Sequence, residues 1–230
     1  MPTIINIETS GTVCSVAVSQ DGACIYKDEH REGPEHARVL APMVEDAVSF
    51  ADSHAIPIDA VAVSKGPGSY TGLRIGVSTA KGLCYGRHLP LIGIPTLKVL
   101  CVPLLLNDCL PDDALLCPMV DARRMEVYCC VFDRALREVS PTEARIIDAD
   151  SFKEYLDKRP VFFIGSGAGK VQDVVTHRNA HFITDAEPLA EHMFPLAEQA
   201  LARHQIEDTA YFEPFYLKEF VATKAKNPLL

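Results

Sequence analysis

The sequence predicts an α/β protein whose two lobes repeat the element order β-β-β-α-β-α-β-α. Two observations lead to this prediction. Short apolar runs rich in β-branched residues alternate with longer segments whose apolar residues recur at helical spacing. In addition, a glycine-rich turn follows a strand and opens a helix in each half, at residues 66–68 and 165–169. The halves share this order of elements but not their sequences.

The first half begins with an apolar strand and a hairpin. In order, its predicted elements are strands 3–9, 14–19 and 23–28, a helix from about 34 to 53, strand 60–64, helix 70–87, strand 89–94 and helix 96–107. Asp21 and Gly22 lie between two alternating runs, a strong signal for a β-hairpin. Pro34 suits the first turn of a helix, whereas Pro103 should bend or end the helix that contains it.

The second half repeats the order. Its predicted elements are strands 114–120, 125–132 and 143–148, helix 152–158, strand 161–164, helix 170–178, strand 181–184 and helix 187–204. Ser151 and Glu154 have the spacing of a capping box. We therefore expect lobes at about 1–105 and 106–210, with residues 211–230 packing back on the first lobe through the aromatic side chains of 211–217.

Composition limits the classes of protein to consider. Of the 230 residues, 48 % are hydrophobic, few are aromatic and none is tryptophan, which suits an aliphatic α/β core. The net charge is −9. An acidic chain does not hold nucleic acid by bulk electrostatics, so RNA contact would need a basic partner or a local patch. Its eight cysteines show no CxxC spacing, which favours buried thiols over disulfides or zinc. We expect a cytoplasmic protein without a membrane span.

The turn at residues 66–68 is the most distinctive local feature. Pro67 fixes its own φ, and the glycines on either side permit backbone angles that other residues avoid. Ser69 or Thr71 can cap the following helix, whose first N–H groups would form a possible anion site.

Small residues recur in that helix. Gly72, Gly76 and Ala80 are four apart and share one face, which would let another backbone approach closely. The residues alone do not decide whether that backbone belongs to the protein's own sheet or to a partner.

Several motifs resemble the bacterial TsaB, or YeaZ, family. They are residues 4–10 (IINIETS), 65–76 (KGPGSYTGLRIG), 80–83 (AKGL), 120–123 (VDAR) and 126–128 (EVY). The duplicated element order also resembles the actin/Hsp70/sugar-kinase superfamily, which has ribonuclease H-like lobes. Members of the family belong to the machinery that makes threonylcarbamoyladenosine beside the tRNA anticodon. The resemblance implies a non-catalytic scaffold that binds a catalytic TsaD-like subunit, meets a TsaE-like ATPase through the assembled complex and contacts tRNA only indirectly.

Departures from TsaD imply that the chain has no transferase activity alone. TsaD holds its metal with a His-x-x-x-His pair, and the corresponding positions here are Thr96 and Leu100. TsaD's acidic pair is replaced by residues 11–13 (GTV). The alternative is an autonomous ATPase or glycoprotease-like peptidase of the same fold, although the sequence lacks both the HExxH and GxSxG motifs. No catalytic or metal-binding residue is predicted, and the i, i+4 pair His177 and His181 is attributed to chance.

Residues that could hold ATP or ADP lie at the predicted strand ends. The candidates are Glu8, Thr9, Ser10, Gly66, Gly68, Gly165 and Gly167. Each has an ordinary structural alternative: Glu8 would cap a neighbouring turn, and residues 165–169 would form a close strand–helix junction. The nucleotide would lie in the cleft between the lobes or at a partner junction.

The resemblance further implies that a partner docks on helices 35–53 and 70–87, and that the chain pairs with itself through the same surface when the partner is absent. The predicted contact residues are His36, Leu40, Met43, Val44, Ala47, Gly72, Leu73, Gly76, Val77 and Ala80. The turn from Asp121 to Glu126, with two arginines, is either an ion-paired turn or a rim that positions a partner or nucleotide.

Overall fold

The computed structural model describes residues 2–33, 35–107 and 110–218, which form two α/β lobes. The first half comprises β1 (Thr3–Glu8), β2 (Cys14–Gln20), β3 (Ala23–His30), α1 (His36–Ser53), β4 (Ala60–Gly66), α2 (Tyr70–Arg87), β5 (Leu91–Pro95) and α3 (Thr96–Leu106). The second comprises β6 (Leu115–Asp121), β7 (Glu126–Phe132), β8 (Glu138–Ile146), α4 (Lys153–Leu156), β9 (Val161–Ile164), α5 (Ala168–Gln172), β10 (Ala180–Ile183), a 3-10 turn (Ala190–His192) and α6 (Phe194–Ala202).

Both sheets have the same topology, which confirms the predicted duplication. The first has the order β3-β2-β1-β4-β5 and the second β8-β7-β6-β9-β10. In each, a three-stranded antiparallel meander continues into two parallel strands. The hairpin is also confirmed, since Asp21 and Gly22 have φ values of 52° and 75°, as a tight two-residue loop between strands requires.

The first sheet is covered on both faces. Ile5 and Ile7 of β1 pack with α1 and α2 on one face, and Ile4 packs with the 3-10 turn and α6 on the other. Those last two elements were predicted to belong to the second lobe. In the structure they cover the first sheet, which is therefore packed by segments from both halves of the chain. A strand buried on both faces can hold only apolar side chains or polar ones that are hydrogen-bonded. The isoleucines of β1 meet the first condition, and Asn6 and Glu8, which bond to Ser19 and Ser64, meet the second.

The segment after α6 also lies on the first lobe. Lys81 Nζ on α2 donates hydrogen bonds to the carbonyl oxygens of Ala210 (3.0 Å) and Phe212 (3.1 Å). Phe212 is buried in the core beneath α1 and α2. The predictions for Pro34, Cys109 and residues 219–230 lie outside the described residues.

The capping box predicted at residues 151–154 is wrong. Ser151 Oγ donates to Asp148 Oδ1 at 2.7 Å instead of capping a helix. The helix begins one residue later, after Phe152, whose φ of 64° sharply redirects the chain. The sequence has the spacing of a capping box, but Ser151 bonds to Asp148 in the preceding turn and so does not cap the helix.

Other boundaries in the second half also differ. The helix predicted at 170–178 is the short α5, the strand predicted at 143–148 begins earlier as β8, and the helix predicted at 187–204 is divided. Pro195 lies in the first turn of α6. Proline has no N–H and clashes with the preceding turn of a helix, so it starts a new helix here and does not continue an old one.

Seven cysteines fall within the described residues; none of them forms a disulfide and six are buried, in agreement with the prediction from their apolar surroundings. Burial raises the pKa of the Cys84 thiol to about 12, which suppresses thiolate chemistry. None of the described helices combines the length and apolarity that a bilayer crossing needs.

Candidate functional site

A cleft of about 970 Å³ lies between the lobes. Its first-lobe wall comes from the turn after β1 and the start of α2, and its second-lobe wall from the turn after β6. Residues 215–218 of the C-terminal segment complete the lining. This is the position in which α/β folds usually bind ligands, at the ends of parallel strands.

Glu8 organises the first turn from within the core. It is fully buried, and its Oε1 accepts hydrogen bonds from the Ser10 N–H (2.6 Å) and from Ser64 Oγ (2.8 Å). Burial raises the pKa of Glu8 to about 7, although hydrogen bonds from Ser10 and Ser64 favour the charged form. Its Oε2 has no hydrogen-bond partner among the described residues. Glu8 is not among the residues that line the cleft, so this geometry favours the turn-capping alternative.

The start of α2 is clamped to the chain segment after β1. Ser69 caps the helix by accepting from the Gly72 N–H at 3.2 Å, and its own N–H donates to the Ser10 carbonyl at 2.8 Å. A Cβ on Gly72 would overlap the Thr9 carbonyl oxygen, and one on Gly76 would overlap Thr9 Oγ1. These two glycines therefore allow α2 to lie directly against the end of β1.

The structure thus corrects the predicted partner surface. The small ridge faces the protein's own sheet, and all ten residues predicted to contact a partner are buried. Leu40, Met43, Val44, Ala47, Val77 and Ala80 belong to the core between the helices and the sheet. His36 is 6 % exposed and is hydrogen-bonded to the Gly11 backbone. The four-residue spacing of Gly72, Gly76 and Ala80 predicts a close contact with another backbone. It does not show whether that contact is made with a partner or, as the structure has it for both glycines, with the protein itself.

The outward faces of α1 and α2 form a different surface. On α2, Ser78, Gly82 and Gly86 are exposed, and a Cβ on either of these glycines would meet nothing within 4 Å. The two helices lie side by side, with Arg87 Nη2 on α2 2.7 Å from Asp52 Oδ2 on α1. We name the exposed side of these helices the outer helical face. Its small residues are also four apart, a signal that sequence reasoning overlooked.

The second glycine turn is a close junction between a strand and a helix. Gly165 has a φ of 106°, and a Cβ there would lie 2.6 Å from the Met119 carbonyl oxygen. A Cβ on Gly167 would lie 2.9 Å from both Met119 Cβ and Val127 Cγ1. The glycines permit packing against β6 and β7, and within the turn only Ser166 lines the cleft.

The turns predicted to hold a nucleotide's phosphates pack closely against other parts of the protein's own backbone. Of the seven candidate residues, only Ser10 and Gly68 line the cleft. A Cβ on Gly66 would lie 2.7 Å from the Phe215 carbonyl oxygen. A Cβ on Gly68 would lie 2.5 Å from the Ser10 carbonyl oxygen. These glycines therefore accommodate the protein's own backbone.

A carboxylate also lies where a phosphate would approach the turn after β1. Glu187 Oε1 accepts from Thr12 Oγ1 at 3.2 Å, and its Oε2 lies 3.2 Å from the Cβ position of Gly11. Its negative charge opposes the binding of an anion beside this turn. A nucleotide in the cleft or at a partner junction stays a prediction.

The rim turn of the second lobe is ion-paired. Asp121 Oδ1 accepts from Lys170 Nζ at 2.6 Å and from the Arg123 N–H at 2.5 Å. Glu126 pairs with Lys218 across the cleft. Arg123 nevertheless lines the cleft, so its side chain is available to a ligand or partner.

The positions that correspond to TsaD's histidines lie in the core, and the two histidines spaced four apart lie in different elements. Thr96 is fully buried and Leu100 is 1 % exposed. His177 lies after the end of α5, and His181 lies in β10, where its ring stacks on Phe162 at 4.6 Å. Within the described ranges, no three histidine, cysteine, aspartate or glutamate side chains come together as metal ligands.

The family follows from comparison with known proteins. A family model described as "TsaD: tRNA N6-adenosine threonylcarbamoyltransferase" matches residues 31–226. The Escherichia coli (strain K12) "tRNA threonylcarbamoyladenosine biosynthesis protein TsaB" is 30 % identical over 230 residues, covering 96 % of this chain and 96 % of its own. The chain belongs to the TsaB family. The TsaB of Haemophilus influenzae is 27 % identical, also over 96 % of both chains.

The fold agrees with a solved TsaB-family structure. "YeaZ from Pseudomonas aeruginosa" superposes with a TM-score of 0.80 at 26 % identity, covering 94 % of this chain and 100 % of that chain. The paired five-stranded sheets therefore follow the family's architecture.

Proposed function

We propose that this chain is a non-catalytic subunit of a tRNA threonylcarbamoyladenosine complex that acts by binding a catalytic TsaD-type subunit. Its membership of the TsaB family supports involvement in that modification, because its relatives are named biosynthesis proteins for it. One observation carries the non-catalytic role. Thr96 and Leu100 occupy the positions of TsaD's metal-binding histidines, and both are packed in the core.

The outer helical face is the proposed docking site. Small exposed residues allow the backbone of another helix to approach closely, which is the geometry of tight helix–helix packing. The charges are segregated as well. The sequence of α2 contains no acidic residue, whereas α1 exposes Glu45, Asp46 and Asp52, with Arg38 as its one arginine and Asp52 paired to Arg87 of α2. A partner with the reverse pattern would dock in one orientation, since like charges oppose the others.

The same face would serve self-association. A second copy presents both an acidic α1 and a basic α2, so homodimer and heterodimer would compete for one surface. In this scheme a TsaE-type ATPase joins through the assembled complex, tRNA contacts the chain only indirectly, and the chain works in the cytoplasm.

Leucine substitutions within α2 test the docking site. Gly82→Leu points outward, where a Cβ meets nothing within 4 Å. We expect a normally folded protein that no longer co-purifies with the TsaD-type subunit, because the larger side chain holds the helices apart. Circular dichroism and affinity co-purification measure the two properties.

The control is Gln172→Leu, an exposed helical position in the second lobe, which should retain binding. Gly76→Leu, which points into the sheet, should instead unfold. If Gly82→Leu folds and binds as well as the unmodified protein, the outer helical face is not the docking site.

A further inference from the structure

The C-terminal segment spans both lobes at the mouth of the cleft. It starts at Phe212, which is buried in the first-lobe core, and reaches Lys218, which pairs with the second lobe. We name residues 212–218 the clasp. Because its residues 215–218 line the cleft, the position of the clasp determines how open the cleft is.

The clasp covers the first glycine turn. The Phe215 N–H donates to the Lys65 carbonyl at 2.7 Å. The Phe215 carbonyl oxygen faces Gly66, and a Cβ on Gly66 would lie 2.7 Å from that oxygen. The ring of Tyr216 lies 4.9 Å from that of Tyr70, the first residue of α2. These contacts cover Gly66 and one side of the Tyr70 ring, beside the cleft.

The two ends of the clasp are held very differently. At the first lobe, Phe212 is buried and Lys81 donates to its carbonyl, so this end is anchored by apolar burial and by a hydrogen bond. At the second lobe, the clasp is tied by Lys218 Nζ, which lies 2.6 and 2.5 Å from the two carboxylate oxygens of Glu126. Those side chains are 47 % and 20 % exposed. A partly exposed ion pair is weak and sensitive to salt.

We propose that the clasp is a latch on the inter-lobe cleft, fixed at Phe212 and released by breaking the pair between Lys218 and Glu126. Release frees Phe215 and Tyr216 from the glycine turn and widens the mouth of the cleft. An anionic surface that competes for Lys218, or raised ionic strength, opens the latch. The proposal concerns this chain alone and stands whether or not the proposed function holds.

Hydrogen exchange tests the latch directly. The amide of Phe215 exchanges only when the clasp leaves Lys65. In Glu126→Gln and in Lys218→Ala we expect exchange of the Phe215 amide to rise by up to about fivefold, the limit set by an exposed ion pair. The β-strand amides of both lobes should be unchanged.

Two controls distinguish a latch from general loosening. Exchanging the charges, with Glu126→Lys and Lys218→Glu together, should restore protection. Glu191→Gln breaks another partly exposed pair, Lys27 with Glu191, whose side chains are 55 % and 21 % exposed, and should leave the clasp protected.

A second readout follows the clasp optically. The chain has no tryptophan, so Tyr216→Trp places a single fluorophore on the clasp. Acrylamide quenching of that fluorophore should increase in high salt and in Glu126→Gln. The proposal fails if neither single variant raises exchange at the Phe215 amide, if the charge exchange does not restore its protection, or if Glu191→Gln has the same effect.

Discussion

Alanine substitutions at Gly76 and Gly82 of α2 test which of these positions faces the protein's own sheet and which faces outward. In both Gly76→Ala and Gly82→Ala, alanine favours the helix by about 1 kcal/mol. At Gly82 nothing opposes this gain, because a Cβ there meets no atom within 4 Å. At Gly76 the new methyl group overlaps Thr9 Oγ1, and Thr9 Cβ and Cγ2 lie 3.3 and 3.4 Å away.

The difference between the two variants isolates that overlap, since the helix-propensity gain is common to both. Overpacking in a core costs about 1–3 kcal/mol. Gly76→Ala should therefore be less stable than Gly82→Ala by about that amount, and Gly82→Ala should be more stable than the unmodified protein by about 0.5–1 kcal/mol. Urea unfolding followed by circular dichroism measures both values. Equal stability of the two variants would refute the inward orientation of Gly76.

Three further changes test the core and the cap. The pKa of Glu8, about 7 in the native state against an ordinary 4.5, means that the native carboxyl holds a proton that the unfolded chain has lost. As the pH rises from about 4.5 to 7, the free energy of unfolding should therefore fall by up to about 3 kcal/mol. Urea unfolding of Glu8→Gln should lack this pH dependence; if it remains, a group other than Glu8 causes it. Ser69→Ala should cost about 1 kcal/mol by removing the cap of α2, and Thr71→Ala much less. Phe212→Ala should cost about 3 kcal/mol or more in the same assay, because the side chain fills the first-lobe core; near-zero loss would show that the clasp is not anchored there.

Elements with strong local signals were predictable from the sequence. The helix predicted at 70–87 is the observed α2, because Ser69 supplies a cap and the apolar stripe continues to Cys84. The hairpin at Asp21 and Gly22 was equally accessible, since only a few residue pairs tolerate positive φ at both turn positions. The repeated sheet order follows from the succession of strands and helices along the chain.

What the sequence did not predict depends on contacts that are distant along the chain. The inward orientation of Gly72 and Gly76 results from the approach of Thr9, more than sixty residues earlier. The occlusion of Gly66 results from Phe215, almost 150 residues later. A glycine-rich turn has the same local pattern whether its free space holds a phosphate or another part of the chain.

Reconstituted tRNA modification tests the central proposal most directly. The assay would follow threonylcarbamoyl transfer to tRNA by the TsaD-type subunit and the other components, with and without this chain. We expect no transfer and no ATP hydrolysis by the chain alone, and transfer that requires the chain when the catalytic subunit is present. Transfer or ATP turnover by the purified chain, or full transfer in its absence, would contradict the assignment of a non-catalytic binding subunit.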